Sequence, residues 1–103
     1  MQPHEYIILE VARERERQMG AEGWSRDHDD THGRGELALA GACYAAPKYV
    51  GFAGAVFGSL PWPWDRSWWK PRDERRNLVK AAALIVAEIE RIDRVQTKPA
   101  VTA

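Results

Sequence analysis

A chain of 103 residues and 11.7 kDa amounts to one domain, and its 45% hydrophobic content excludes a disordered polypeptide. Fifteen Lys and Arg balance fifteen Asp and Glu for a net charge of zero, which excludes a general nucleic-acid binder with its strongly basic face. The single cysteine excludes an internal disulfide and suits a reducing cytosol, and no run approaches the ~20 apolar residues that a membrane span needs.

Residues 4–19 read as a first helix. Tyr6, Ile7, Leu9, Val11 and Ala12 open it, Arg13 to Arg17 follow as a solvated face with i,i+4 ion pairs, and Gly20 is the expected stop. No signal peptide is expected, because His4 and Glu5 interrupt the start before any long apolar run. Residues 20–35 form a polar turn. Residues 36–46 read as an Ala-rich second helix ended by Pro47, within which Cys43 is a small buried hydrophobe rather than a catalytic thiol. Residues 48–58 are apolar and carry Gly51, Gly54 and Gly58 at helical spacing; helix and flexible loop both fit. Residues 59–71 cannot be regular helix, because Pro61, Pro63 and Pro71 interrupt it.

Residues 72–94 carry the strongest periodicity. Leu78, Ala82, Ile85, Ile89 and Ile92 follow a 4-3-4-3 spacing, which reads as one apolar seam packed against partners. Pro71, Asp73 and Glu74 suit the N-terminus of this helix, and Arg91 and Arg94 suit its C-terminus. Residues 97–103 are expected to form a flexible tail, leaving 1–96 as a single α-helical domain. No segment sustains strand alternation, so the expected fold is all-α: a compact three- to four-helix domain with a long C-terminal helix and a Pro/Trp-rich loop. A domain this small buries only about 60–65% of its unfolded surface, so a homo-oligomer is expected.

Three constellations stand out. In the polar turn, Trp24, Arg26, His28, Asp29, Asp30, His32 and Arg34 crowd between glycines. His28 and His32 at i,i+4, with the acids between them, fit a metal site. A helix start behind a glycine-rich turn equally fits an anion cradle, and Asp30 or Thr31 fits a simple cap. In the second, Trp62, Trp64, Trp68 and Trp69 interleave with Asp65, Arg66 and Lys70. Such a loop stacks a nucleobase while its cations hold phosphate, or it completes a small core or a subunit interface. In the third, Glu88 lies at the edge of the apolar seam, where a half-buried carboxylate needs a partner; an ordinary place in a surface ion-pair lattice fits as well. Lys80, one turn below Leu84, is a further candidate phosphate contact.

Taken together, Glu22-Gly23-Trp24, His28-Asp29-Asp30-x-His32, Gly35-Glu36-Leu37-Ala38, Trp62-Pro63-Trp64, Trp68-Trp69-Lys70-Pro71 and Ala87-Glu88-Ile89-Glu90-Arg91 resemble a family of short uncharacterised phage and prophage proteins. The resemblance spans roughly residues 8–94. It implies a bacterial host cytoplasm and a virus-encoded accessory role, a class that includes sponges sequestering host nucleotide immune signals. A second resemblance is to the all-α MazG-like nucleotide pyrophosphohydrolases, which bind Mg²⁺ through paired acidic motifs. Glu90-x-x-Asp93 matches one motif, whereas Glu10 and Glu14 are followed three residues later by Arg13 and Arg17 instead of acids. His28-Asp29 is similar to the dipeptide of the HD phosphohydrolases.

The expectation is therefore a binding protein rather than an enzyme, with no cofactor and no membrane partner, that sequesters a phosphorylated nucleotide-like small molecule. Trp24, Trp64, Trp68 or Trp69 would stack the base. Arg26, Arg34, Arg66 and Lys70 would meet phosphates. His28, Asp29, Asp30, His32 and Glu88 would supply the remaining polar contacts. The alternative is a metal-dependent nucleotide phosphohydrolase in which His28, Asp29, Asp30, His32 and Glu88 hold Mg²⁺ or Mn²⁺.

Overall fold

The computed structural model describes residues 1–22, 29–31, 33, 35–52 and 59–102, with side chains described to residue 96. Helix α1 spans Pro3–Ala21. Pro3 occupies its first turn, where a missing N–H costs nothing, and the Gln2 N–H donates to Glu5 Oε1 at 3.0 Å. The helix runs through Gly20, the expected stop, and ends one residue later at Ala21.

Helix α2, Glu36–Ala45, starts behind Gly35, whose φ of 80° is a left-handed conformation that glycine adopts without strain. Leu37, Ala40, Gly41 and Tyr44 recur at helical spacing and are buried as one face. Gly41 permits its close approach to the next helix: a Cβ there would sit 3.2 Å from the Ala81 carbonyl oxygen and 3.3 Å from Ile85 Cγ1.

After a 3₁₀ turn at Pro47–Tyr49, two short parallel strands, β1 (Val50–Gly51) and β2 (Leu60–Pro61), pair Val50 with Leu60 and Gly51 with Pro61. Two-residue strands contain no alternation to read, so the sequence gives no sign of them. Pro61 lacks an N–H, and the ladder resumes through the Trp62 N–H, which donates to the Gly51 carbonyl at 2.9 Å. A second 3₁₀ turn, Arg66–Trp68, is capped by Asp65, which accepts from the Ser67 N–H and hydroxyl at 2.9 and 2.6 Å.

Helix α3 spans Glu74–Thr102 and so continues through residues assigned from sequence to the tail. Asp73 caps it: its carboxylate accepts from the Arg76 N–H at 2.9 Å, and its carbonyl from the Asn77 N–H at 2.9 Å. Asn77 in turn clasps Arg72, accepting from its N–H at 2.6 Å and donating to its carbonyl at 2.9 Å. That two-bond clasp fixes the chain just before the helix.

The described fold is thus mostly helical, with a small two-stranded sheet. Its core joins Leu37, Ala40, Cys43 and Tyr44 of α2, Trp62, and Ala81, Leu84 and Ala87 of α3. Two expectations differ. The apolar seam of α3 is not in this core: Leu78, Ile85, Ile89 and Ile92 are 50, 47, 53 and 39% exposed. The buried face, including Asn77, Lys80, Ala81, Leu84 and Glu88, lies about 100° around the helix, one residue's rotation away. The charged run of α1 is a solvated face only in part, at Arg13 and Glu16. Glu14, Arg15 and Gln18 are its buried residues, and they meet α3.

Candidate functional site

Where α1 ends, α3 begins and the Trp loop closes between them, a cleft of about 420 Å³ opens. Its lining carries five cations, Arg17, Lys70, Arg72, Arg76 and Lys80, against two carboxylates, Glu22 and Asp73. Arg72, Arg76 and Lys80 fall at i, i+4 and i+8, so the first two turns of α3 and the residues leading into it present one cationic stripe. Arg17 comes from the last turns of α1, and Lys70 from the loop.

The cations differ in how they are held. Glu14, buried behind the cleft, accepts from Arg17 Nε and Nη2 at 2.8 and 2.9 Å and from Arg76 Nη2. Burial pushes the Glu14 carboxyl upward, but the Arg17 and Arg76 guanidiniums outweigh it and hold the group below its ordinary value. Glu22 bridges Arg17 at 3.3 Å and Lys70 at 3.1 Å. Burial pushes it up, and Lys70 and Arg17 again bring it below the ordinary value. Arg17 and Arg76 are therefore aimed by a fixed carboxylate, as residues that meet a ligand need to be.

Lys80 is the unusual member. It is 6% exposed, and its Nζ donates to the Lys70 carbonyl at 2.7 Å and lies 5.4 Å from the Tyr44 ring centroid. Among the described residues, no carboxylate pairs with it within ion-pair distance. Burial lowers its pKa from 10.5, and the positive charges of Arg17, Arg76 and Arg72 push the same way against Glu14 alone. The Arg72 guanidinium likewise has no ion-pair partner among the described residues. The cleft therefore holds more positive charge than its own acids offset.

Tyr44 holds the loop over the cleft: its hydroxyl accepts from the Lys70 N–H at 3.0 Å and lies 3.4 Å from the Trp68 carbonyl. Its ring packs edge-on to Trp62 at 5.7 Å and against Trp69 at 4.7 Å, while Trp64 meets Trp62 edge-on at 5.4 Å. Trp62 is core, and Trp64 and Trp69 pack against it. Trp68 is exposed, with Lys70 Nζ 5.5 Å from its ring.

Of the site residues expected from sequence, Lys70 and Lys80 line the cleft and Trp68 adjoins it. Trp24, Arg26, His28, His32 and Arg34 lie outside the described residues. Asp29 is wholly buried and accepts from Arg15 Nη2 at 2.6 Å, while Arg15 Nε donates to Glu90 at 2.8 Å. Asp30 accepts from Arg94 at 2.7 Å, and Glu88 from Arg91 at 2.6 Å. Each of these three acids is thus engaged by a different arginine, and among the described residues no three His, Cys, Asp or Glu side chains converge to hold a metal. Arg66 lies over the Phe52 ring at 4.5 Å. Burial pushes the Cys43 thiol up to about 11, which leaves it unreactive.

Sequence reasoning passed over Arg17, Arg72 and Arg76. The i, i+4, i+8 stripe was the available signal for the latter two; Arg17 joins them only through the docking of α1. No family model matches the chain, and no curated protein or solved structure matches it.

Proposed function

We propose that the protein binds and sequesters a small phosphorylated, nucleotide-derived molecule, with its phosphates in the cleft between α1, the Trp loop and α3. The observation that carries this reading is Lys80: a buried ammonium, faced by three further cations, in a cleft open to solute. A bound anion would relieve that repulsion, and guanidinium forks at Arg17, Arg72 and Arg76 match phosphate oxygens. The volume falls within the ~300–1,000 Å³ range of small-molecule sites. Trp68, beside Lys70, supplies an aromatic face on which a base stacks. The phage-like sequence motifs fit a protein that removes a host nucleotide signal by holding it.

Calorimetric titration with pyrophosphate, AMP, ADP, cyclic AMP and adenosine, with and without Mg²⁺, tests the reading. Binding of the phosphorylated compounds without adenosine is expected, with every ligand recovered intact after the protein is denatured. Equal binding of adenosine and ADP would place recognition outside the cationic cleft. Recovery of AMP and phosphate from ADP would assign the protein to hydrolysis instead of sequestration.

A further inference from the structure

The periodic apolar seam of α3 faces solvent, and the N-terminal half of α1 adds to it. Leu78, Ile85, Ile89 and Ile92 are 39 to 53% exposed, and Ile7 of α1 is 46% exposed. Between the two helices runs a groove of about 200 Å³, lined by Ile7, Val11, Leu78 and Ala82 among others. We propose that this face pairs with the same face of a second copy about a two-fold axis.

Three observations favour that occupant. The 4-3-4-3 spacing along α3 is the heptad repeat by which helices interlock with a like helix, and its face is complementary to itself, as a two-fold interface requires. The area bears on it as well: Leu78, Ile85, Ile89, Ile92 and Ile7, each about half exposed, leave on the order of 400 Å² bare, roughly half of the ~800 Å² per partner of a stable interface. Finally, the charge that lines the groove is cancelled: Arg75 is held bidentately by Glu10 at 2.8 and 2.9 Å. A helix face that lies on an anionic membrane carries a surplus of Lys and Arg at its edges. An apolar centre with a neutral rim suits a homodimer.

The proposal does not depend on the anion cleft, which is built from other residues. Light scattering at micromolar concentration is expected to give twice the 11.7 kDa chain mass. Leu78→Glu and Ile89→Glu, both at exposed positions, are expected to return the mass to that of one chain while circular dichroism stays helical. Should either variant fail to fold, isotope-filtered Overhauser contacts between Leu78, Ile85 and Ile89 methyls of mixed labelled wild-type chains decide the matter. A wild-type mass of one chain overturns the proposal, including one accompanied by binding to anionic vesicles. A doubled mass that persists in both folded variants, or a doubled mass with no such methyl contacts, overturns it equally.

Discussion

Replacing Lys80 with Met removes the ammonium while keeping an unbranched stem of similar length. Two effects on stability oppose each other. The hydrogen bond to the Lys70 carbonyl at 2.7 Å is lost, costing about 1 kcal/mol. The repulsion and desolvation that lower the Lys80 pKa are lost as well, which favours the folded state. The net change is expected within about 1 kcal/mol, or roughly 4–8 °C in Tm for a domain of this size. Binding has no such compensation. An ammonium that donates to phosphate makes a charge-assisted hydrogen bond of about 1.5–3 kcal/mol, so Lys80→Met is expected to weaken pyrophosphate roughly 10- to 150-fold. Calorimetry of pyrophosphate binding, paired with a thermal melt of the same sample, reads both quantities. A folded Lys80→Met protein that binds pyrophosphate within about twofold of wild type, set against that expected loss, would refute the reasoning.

The wild-type protein is expected to lose pyrophosphate affinity as pH rises through the lowered Lys80 pKa, below 10.5. In the same window the ligand-free protein gains stability, because the unfolded chain holds the extra proton; melts and titrations across alkaline pH check both slopes, and Lys80→Met is expected to lose both. At the acid end, Glu14 is held below its ordinary 4.5 by Arg17 and Arg76. Its stabilisation is complete above that pH and lost as pH falls through the lowered value, so Glu14→Gln is expected to flatten the acid limb of a Tm-against-pH curve. Asp29→Ala removes one of the two carboxylates that hold the buried Arg15 and leaves Glu90 on its Nε, so it is expected to cost more than the ~1 kcal/mol of a helix cap and less than the about 3–5 kcal/mol of a fully unpaired buried charge; urea unfolding reads the difference. Arg72→Ala is expected to weaken pyrophosphate without moving Tm, because its guanidinium has no ion-pair partner among the described residues.

Elements whose ends are set by local chemistry were legible in the sequence. Pro47 and the Pro71–Asp73 approach to α3 mark boundaries that backbone sterics and capping dictate within a few residues. Gly20 marked the end of α1 to within two residues of its last residue, Ala21. Periodicity identified the apolar face of α3 but not the direction it faces. The inward face is built from Asn77, Lys80, Ala81 and Glu88 with Leu84: small residues where Gly41 brings α2 close, Lys80 beneath the Lys70 carbonyl of the Trp loop, and Asn77 and Glu88 held by Arg72 and Arg91. The docking of α2 through Gly41 comes from a distant part of the chain, so no local pattern in α3 announces which of its faces turns inward. The cleft divides the same way. Its Arg72–Arg76–Lys80 stripe is a local pattern, whereas the pairing of Arg17 with Glu14 and Glu22 gains meaning only once α1 docks. The aromatic richness of the loop was plain, but that Tyr44 would gather Trp62 and Trp69 and leave Trp68 exposed required the fold.

The central claim is that the cationic cleft holds phosphate. Backbone and side-chain resonances of the labelled protein, followed through a titration with ADP, test it most directly. The account predicts saturable shifts at Arg17, Lys70, Arg72, Arg76 and Lys80, with broadening at Trp68. Shifts confined to residues 29–36, or none at ADP concentrations that calorimetry shows to saturate, would contradict it.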